Sequence, residues 1–245
     1  MNSLAQMVGG DSVRVSGVNN RSVVPNQASL QVLPFGTELL RQDLPPNEVY
    51  FLRRGLVKLY RLEADGREVF VALRAPGWIL GLDAALLQRP SPVTASAITE
   101  CHVHRLHTTQ FLKLVEADAA FACSLLRLLS EEFYDDVGRR TQLSTPAART
   151  RLLQFFSQFL PEGPVRVGKE VTLDIPLKEG DIAGYLAIHP STLSKIYKKL
   201  EAEGVIRRHK GRTIIKRMDV VLPHVDPIHT AWKLPGGGFG STSES

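Results

Sequence analysis

The chain has 245 residues, 43% hydrophobic and 22% charged, which is typical of a folded protein with room for two domains. No apolar run approaches the roughly 18 residues that span a membrane, and residues 1–20 lack the pattern of a secretory signal, so we expect a cytoplasmic protein. Its two cysteines, Cys101 and Cys123, argue against a disulfide framework and are too few for an iron–sulfur cluster.

The net charge of +5 is concentrated in one part of the chain. Residues 1–145 contain 15 Lys/Arg and 15 Asp/Glu, whereas residues 146–219 contain 14 Lys/Arg and 8 Asp/Glu. A basic block beside a neutral one predicts a polyanion-binding domain joined to a neutral domain. A merely basic surface would have the same composition, so this observation alone leaves both interpretations open.

The first half of the chain has a β-type pattern. Residues 1–28 lack clear periodicity and are predicted to form a flexible arm. Between Leu30 and Leu106, short strand-like segments alternate with glycine and proline turns, and Asp65-Gly66 predicts a hairpin with a type I′ turn. Many short strands with regular glycines predict a small β-barrel or roll over residues 29–117.

A long helix is predicted over residues 118–143, which contain no proline and one glycine. Such a helix either packs on the β-roll of its own chain or pairs with a second copy, and we expect a homodimer. The apolar stripe that leads to this expectation consists of Phe121, Leu125, Leu128, Leu129, Phe133 and Val137.

Residues 144–219 are predicted to form a compact unit of helices and a small sheet. Thr145 and Pro146 predict the N-cap and first position of a helix that ends before residues 161–164. Gly168 then predicts a hairpin between two valine-rich segments, residues 165–167 and residues 171–175. Residues 220–245 follow as a low-complexity tail.

Two short helices are predicted next, over residues 176–186 and 189–200, with a tight connection between them. In the second, Leu193, Ile196, Tyr197 and Leu200 fall three or four apart and should face inward. The outward positions carry hydroxyls and lysines, which suits a helix in the DNA major groove, and a basic wing follows. The predicted DNA-binding residues are Lys178, His189, Pro190, Ser191, Thr192, Ser194, Lys195, Lys198, Lys199, Lys210 and Arg212.

Over roughly residues 30–217 the chain resembles the Crp–Fnr superfamily of bacterial regulators. Asp181-Ile182-Ala183, residues 191–196, Leu200-Glu201 and Gly204-Val205-Ile206 are similar to its signature for helix, recognition helix and wing. The resemblance implies an α+β protein: a jelly roll of the cyclic-nucleotide-binding type, a dimerisation helix and a C-terminal winged helix-turn-helix. It also implies a transcription regulator that binds inverted-repeat double-stranded DNA as a homodimer and contacts RNA polymerase.

The recognition helix departs from the cyclic-AMP-binding member of that family. Where that member begins the helix with Arg and Glu, this chain has Pro190 and Ser191, so we expect a different operator sequence. Lys195 stands where the family places a second base-reading Arg, and a lysine lacks the bidentate fork of arginine.

The family's phosphate-binding cassette is also altered. It pairs Gly-Glu with Arg-Ser about ten residues later, whereas Gly81-Leu82-Asp83 and then Val93-Thr94 stand in those places here, so the Glu and the Arg are both missing in register. We therefore expect no binding of cyclic AMP, predict no cofactor and leave the effector unknown. The weak candidates for effector contact are Leu82, Asp83, Arg89 and Thr94, although Arg89 also fits a solvated loop. A roll that serves only as a scaffold is a further alternative.

A cluster of histidines supports a different interpretation. Alternation places His102 and His104 on one strand face, as in the metal-binding pair of cupin enzymes, and His107 follows. Such enzymes also need a nearby carboxylate and a later histidine, but residues 108–110 are Thr, Thr and Gln. The alternatives are exposed strand histidines or a cupin-like metal- or haem-binding sensor or enzyme. We expect the former, with no metal site and no enzymatic activity.

Overall fold

The computed structural model describes residues 24–144, 147–160, 168–209 and 211–224. In its first part, eight strands and one short helix build an antiparallel β-roll. They are β1 (Ser29–Leu33), β2 (Glu38–Leu40), β3 (Glu48–Arg54), β4 (Val57–Leu62), β5 (Glu68–Arg74), β6 (Ile79–Leu80), α1 (Leu82–Leu87), β7 (Thr94–Ala97) and β8 (Cys101–His107).

The roll consists of two four-stranded sheets, ordered β1-β8-β3-β6 and β2-β7-β4-β5. Every strand pair in them is antiparallel, and alternate side chains point into one shared core. The buried core residues are all apolar: Leu33, Leu39, Leu40, Leu52, Val57, Leu59, Ala72, Leu80, Ala95, Ala97, Cys101 and Val103. The predicted jelly roll of the cyclic-nucleotide-binding type is therefore confirmed.

The hairpin between β4 and β5 lies where Asp65-Gly66 predicted it, but the predicted turn type is wrong. Only Gly66 has a positive φ, of 80°, whereas a type I′ turn needs positive φ at both central residues. The Glu63 N–H donates to the Arg67 carbonyl and the Gly66 N–H donates to the Glu63 carbonyl. These bonds leave three residues in the loop, a length that favours a type I turn followed by a left-handed glycine.

Gly55 makes the tight turn between β3 and β4 possible. Its φ is 94°, and a Cβ placed there would lie 2.3 Å from the Glu100 carbonyl oxygen and 2.7 Å from the Cys101 sulfur. No side chain fits this position, because both the backbone conformation and the neighbouring atoms exclude one.

Two helices, α2 (Thr108–Ala117) and α3 (Ala119–Ser144), follow the roll. Asp118 is the one residue between them. Its carboxylate caps α3 by accepting hydrogen bonds from the backbone N–H groups of Ala120 and Phe121. Both helices pack on the outer face of the sheet that contains β3 and β8. The buried residues of this second core are Val49, Phe51, Ile79, Leu82, Ala85, Leu106, Phe111, Phe121, Leu125 and Leu128.

This packing corrects the prediction that the apolar stripe of α3 is one dimerisation surface. Phe121, Leu125 and Leu128 are buried against the roll of their own chain, and Leu129 is half-buried beside them. Phe133 and Val137 remain exposed. The stripe of residues four apart drifts around the helix, because four residues exceed one turn of 3.6, so its two halves face different surroundings.

The C-terminal unit packs its helices and a small sheet around one core. Its elements are α4 (Ala148–Ser157), β9 (Val171–Leu173), α5 (Glu179–Tyr185), α6 (Pro190–Ala202), β10 (Ile206–His209), β11 (Arg212–Ile215), α7 (Met218–Val221) and a 3-10 turn at Leu222–His224. The sheet order is β10-β11-β9. Leu153, Phe155, Leu173, Leu193 and Leu200 are fully buried in this core, which confirms the predicted winged helix-turn-helix.

Several predicted boundaries change. Helix α4 begins at Ala148 with Ala147 at its N-cap, so the predicted cap at Thr145 with Pro146 is wrong; those two residues lie outside the described part. The hairpin segment at residues 165–167 also lies outside it, so that hairpin stays a prediction; β9 pairs with β11. Met218 and Val221 are fully buried, so the domain continues into the predicted tail.

The N-terminal boundary moves as well. Val24 and Ala28 pack against the second core, so residues 24–28 belong to the roll, and residues 1–23 lie outside the described part. None of the described helices is long and apolar enough to cross a membrane.

We predict that Gly55→Ala destabilises the roll far more than Gly66→Ala. Both residues have positive φ, which costs alanine about 1–2 kcal/mol, but only at Gly55 does the added methyl group meet other atoms. Overpacking adds about 1–3 kcal/mol there. Urea unfolding measures the loss of unfolding free energy in each variant. It is followed by the fluorescence of Trp78, in a Trp232→Phe background that removes the second tryptophan. Equal destabilisation by the two variants would contradict the steric argument.

Candidate nucleic-acid interface

A tight turn joins α5 to α6 and sets the angle between them. Ala187 adopts a positive φ of 49°, and the Ile188 N–H donates to the Ala183 carbonyl at 3.0 Å. Arg151, on α4, donates from Nε to the Leu186 carbonyl at 3.1 Å. No local pattern in the sequence indicates this role of Arg151, because its partner is a backbone group 35 residues away.

Helix α6 begins at Pro190, one residue later than predicted, and His189 is its N-cap. The His189 side chain caps the helix by accepting from the Ser191 N–H at 3.3 Å, and Pro190 occupies the first turn. Proline is favoured there because its missing N–H would have had no helical partner. Leu193, Tyr197 and Leu200 are buried and Ile196 is half-buried, so the predicted inward face is confirmed.

The opposite face of α6 is open to solvent. Its exposed residues are His189, Pro190, Ser191, Thr192, Lys195, Lys198 and Lys199, while Ser194 is half-buried. Ser191, Lys195 and Lys198 fall within about 60° of one another around the helix, because each residue advances by about 100°. The structure thus brings most of the predicted DNA-binding residues together on one surface of one helix.

The remaining predicted DNA-binding residues lie apart from this surface. Lys178 is the exposed N-cap of α5, and Arg212 is exposed at the start of β11, next to the wing turn at Gly211. Lys210 lies outside the described residues. The wing itself is an antiparallel pair of β10 and β11, in which Arg208 lies opposite Thr213.

The cations of this domain fall into two classes. Five of them are paired with carboxylates: Arg149 with Glu203 at 2.6 Å, Arg207 with Glu170 at 3.5 Å, Arg208 with Glu179, Lys216 with Glu170 at 3.9 Å, and Arg217 with Asp219 at 2.7 Å. Within the described part of the chain, none of the three lysines on α6 forms an ion pair. These three lysines therefore leave unneutralised positive charge on the exposed face of the recognition helix, where a phosphate or base can meet it.

Arg208 connects the wing to the recognition helix. Its guanidinium lies 4.3 Å from the centre of the Tyr197 ring and pairs with the Glu179 carboxylate. The backbone N–H of Arg208 donates to the Glu201 carboxylate. Burial raises the pKa of Tyr197 to about 12; the Arg208 charge opposes this shift and the Glu179 charge adds to it. These contacts fix β10 against both α5 and α6.

The candidate effector residues divide into buried and exposed ones. Leu82 is part of the second core, and the Thr94 hydroxyl accepts a hydrogen bond from the Gln42 N–H at 3.1 Å. Asp83 and Arg89 are exposed on and after α1. The structure therefore does not gather these four residues into one polar site.

The histidines near the end of β8 have separate surroundings. His102 and His104 share a face, as predicted, but His102 lies 3.2 Å from the Glu100 carboxylate and His107 caps α2. Burial and the charge of Arg53 lower the pKa of His104. In residues 24–144 and the other described ranges, no three His, Cys, Asp or Glu side chains come close enough to hold a metal ion.

Comparison with known proteins agrees with this architecture. Two family models match: Cyclic nucleotide-binding domain over residues 30–118 and Crp-like helix-turn-helix domain over residues 150–220. The chain belongs to the Crp–Fnr superfamily of transcription regulators. This finding favours the regulator over the cupin-like alternative for the histidines, and the family's proteins are regulators, not enzymes.

Individual relatives support the assignment over most of the chain. The nitrogen fixation regulation protein FixK of Azorhizobium caulinodans is 25% identical over 191 residues, 78% of this chain and 76% of FixK. The transcriptional activator protein anr of Pseudomonas aeruginosa is 24% identical over 70% of each chain. The anaerobic regulatory protein of Haemophilus influenzae is 26% identical over 65% of this chain, but the match spans only 62% of that relative.

Solved structures show the same fold at low identity. FixK2 from Bradyrhizobium japonicum superposes with a TM-score of 0.62 and 21% identity, covering 81% of this chain and 98% of FixK2. A CRP/FNR-family transcriptional regulator from Thermus thermophilus gives a TM-score of 0.64 and 20% identity, over 80% and 97% of the two chains.

We predict that Tyr197 makes the helix-turn-helix domain sensitive to alkaline pH. A folded-state pKa near 12, above the ordinary value of 10.0, stabilises the protein below pH 10, and this stability is lost as the pH rises from 10 to 12. In Tyr197→Phe the loss of unfolding free energy over that range should be smaller by about 1–3 kcal/mol. Urea unfolding of both proteins at pH 8, 10 and 11.5 measures the difference, and parallel pH profiles would contradict it.

Proposed function

We propose that this regulator acts in the cytoplasm as a homodimer that binds an inverted-repeat DNA site and there influences RNA polymerase. The observation that carries the proposal is the exposed face of α6, whose three lysines have no carboxylate partner in the described chain. A helix-turn-helix places such a face in the major groove, and a dimer reads two half-sites roughly 34–36 Å apart.

Within that face we propose two roles. His189, Ser191, Thr192 and Lys195 read base edges, since they lie in the first two turns of α6, the part that enters the groove. Lys198 lies about 4.5 Å further along the axis than Lys195 and contacts phosphate, as does Lys199. Arg212 and Lys210 on the wing and Lys178 at the start of α5 are assigned to the phosphate backbone.

The dimer interface is proposed on the solvent face of α3. Cys123, Leu126, Ser130, Phe133 and Val137 follow the alternating three- and four-residue spacing of a coiled-coil seam. Leu126 and Phe133 are 63% and 72% exposed in the single chain, whereas Leu125 and Leu128 are already used by the roll. This seam supports pairing with a second copy along a parallel α3.

For the roll we propose an effector other than a cyclic nucleotide. Val93 packs against the apolar core of the roll, and the Thr94 hydroxyl is engaged by the Gln42 backbone. The neighbouring loop is closed by its own contacts, since Arg61 donates to the Pro92 carbonyl at 2.8 Å. Position 93, where the family's cassette carries an arginine, is a valine that packs on the apolar core. An anionic phosphate would therefore find neither a positive charge nor a polar interior at this place.

We predict different effects of Lys195→Ala and Lys198→Ala on DNA binding. Loss of a base contact should relax the preferred sequence at one position of each half-site and cost about 1–3 kcal/mol there. Loss of a phosphate contact should weaken binding to every sequence alike and reduce the salt dependence by about one unit of slope. Selection from randomised DNA, followed by anisotropy titrations at several salt concentrations, measures both.

The outcome also tests the proposed function itself. The wild-type protein should select an inverted repeat and lose affinity steeply with salt, because bound lysines and arginines release counterions. Selection of no common motif would contradict DNA reading. A motif changed by Lys198→Ala but not by Lys195→Ala would show that α6 is rotated differently in the groove.

We predict that Leu126→Glu and Phe133→Glu convert the dimer into a monomer without unfolding the chain. Both side chains are exposed in the single chain, so glutamate there costs folding little, whereas two glutamates facing each other in a seam repel. The matched control is Leu87→Glu on α1, because Leu87 is 63% exposed, as Leu126 is. Light scattering measures the mass; dimers in all three variants would contradict the seam.

Cys123 provides an independent test of the register. It is exposed on the seam, whereas Cys101 is buried in the core of the roll. A short bis-maleimide should therefore link two wild-type chains, but neither Cys123→Ser nor Leu126→Glu chains. Crosslinking that persists in Leu126→Glu would show that Cys123 residues of two chains meet at a surface other than the proposed seam, which would contradict it.

A further inference from the structure

The roll and the helix-turn-helix touch each other directly, in addition to being joined by α3. Helix α5 lies against β5, which is the edge strand of its sheet. The Phe70 and Tyr185 rings meet edge to face, with centroids 6.0 Å apart. A Cβ placed at Gly184 would lie 2.7 Å from the Phe70 Cβ, so the backbone of α5 approaches β5 as closely as a glycine allows.

An ion cluster borders this aromatic contact. The Lys58 ammonium lies 2.6 Å from the Glu68 carboxylate on the same hairpin and 3.4 Å from the Asp181 carboxylate on α5. Lys58 is only 8% exposed, and its ammonium also lies 4.8 Å from the Tyr60 ring centre. A lysine this buried is costly unless it is paired, and one of its two carboxylates comes from the other domain.

Protonation of Lys58 is secured by these partners. Burial lowers the pKa of Lys58, but the hydrogen bonds and charges of Glu68 and Asp181 more than offset this and raise it above its ordinary value. Asp181 is half-buried, and its carboxylate faces the lysine across the domain boundary. The ammonium is thus stabilised at the boundary by one carboxylate from each domain.

The contact leaves the DNA-reading surface open. His189, Ser191, Lys195 and Lys198 on α6 are exposed while α5 is held against β5. Tyr185 also packs on Phe155, at 5.0 Å between ring centres, and so ties the contact to the core of the helix-turn-helix. The contact therefore restrains the orientation of the domain without covering its reading face.

We propose that this roll–helix contact, formed by Lys58, Phe70, Asp181, Gly184 and Tyr185, positions each recognition helix so that a dimer can engage both half-sites at once. The proposal rests on the proposed DNA-binding function and adds positioning residues to it. A domain held in one orientation brings the second α6 to its half-site at a high effective concentration. A domain attached only by the chain between α3 and α4 samples many orientations and loses that advantage.

Gly184 and Gly180 provide a matched pair of variants on the same helix. Alanine is a better helix former than glycine, so Gly184→Ala and Gly180→Ala both favour α5 itself. A Cβ at Gly180 meets nothing within 4 Å, whereas one at Gly184 collides with Phe70 and forces α5 away from β5. Only Gly184→Ala should therefore disturb the orientation of the domain.

The experiment compares the full-length proteins on two DNAs, one with the complete inverted repeat and one with a single half-site. For Gly184→Ala we expect about tenfold weaker binding to the inverted repeat, unchanged binding to the half-site, and tolerance of altered half-site spacing. Gly180→Ala should match the wild type on both DNAs. A purely structural defect would instead weaken half-site binding as well.

A second pair tests the ion cluster separately. Asp181→Asn removes the carboxylate that Lys58 receives from the other domain, and Glu68→Gln removes the one from its own hairpin. Asp181→Asn should reproduce the loss on the inverted repeat and Glu68→Gln should not, although both remove one charge from the same lysine.

The results separate this proposal from the proposed function. If the wild type binds no inverted repeat, the proposed function fails. If the wild type binds but Gly184→Ala behaves like Gly180→Ala, or binds the inverted repeat more tightly, the positioning role is overturned while DNA binding stands.

Discussion

The packing of α2 and α3 on the outer face of the β3–β8 sheet is the interaction on which the remaining architecture depends. Phe51 on the sheet, Phe111 on α2 and Phe121 on α3 are buried together, with the Phe111 and Phe121 rings edge to face at 6.0 Å. This core fixes which side of α3 faces inward. The opposite side, with Leu126 and Phe133, is thereby left for another partner, and the direction of the helix towards the DNA-binding domain is set.

Two connections then link the roll to the recognition helix. One is covalent and runs along α3; the other is the contact of β5 with α5 through Phe70 and Lys58. A change in the roll that moved the β4–β5 hairpin would reach α5 directly, because the Phe70 Cβ and the Gly184 backbone leave no room between them. The architecture thus contains a short physical path from the sensor to the reading helix, and it does not depend on the identity of the effector.

In the DNA-binding domain, the cations that are available to DNA are those without a carboxylate partner, and the total number of Lys and Arg residues does not identify them. Arg207, Arg208 and Lys216 hold the wing by binding Glu170 and Glu179, whereas the α6 lysines stay unneutralised. The basic block is visible in the sequence, but composition does not separate cations that are paired with carboxylates from those that are not. Pairing depends on residues far apart in the chain, such as Arg149 and Glu203, so composition does not reveal it.

The sequence alone determined a β-roll, the long helix and the inward face of α6, because these follow from local periodicity and turn residues. The resemblance to the Crp–Fnr superfamily added the jelly-roll type and the winged helix-turn-helix. Positions 193, 197 and 200 repeat at helical spacing, and their burial follows from that spacing. Only the tertiary structure decided which half of the α3 stripe serves its own roll, that the Asp65–Gly66 hairpin has a three-residue loop, and that Lys58 meets Asp181. The first and the last depend on contacts between distant segments, which no local pattern encodes; the loop length depends on the register of the Glu63–Arg67 hydrogen bond, which the Asp-Gly pair does not fix.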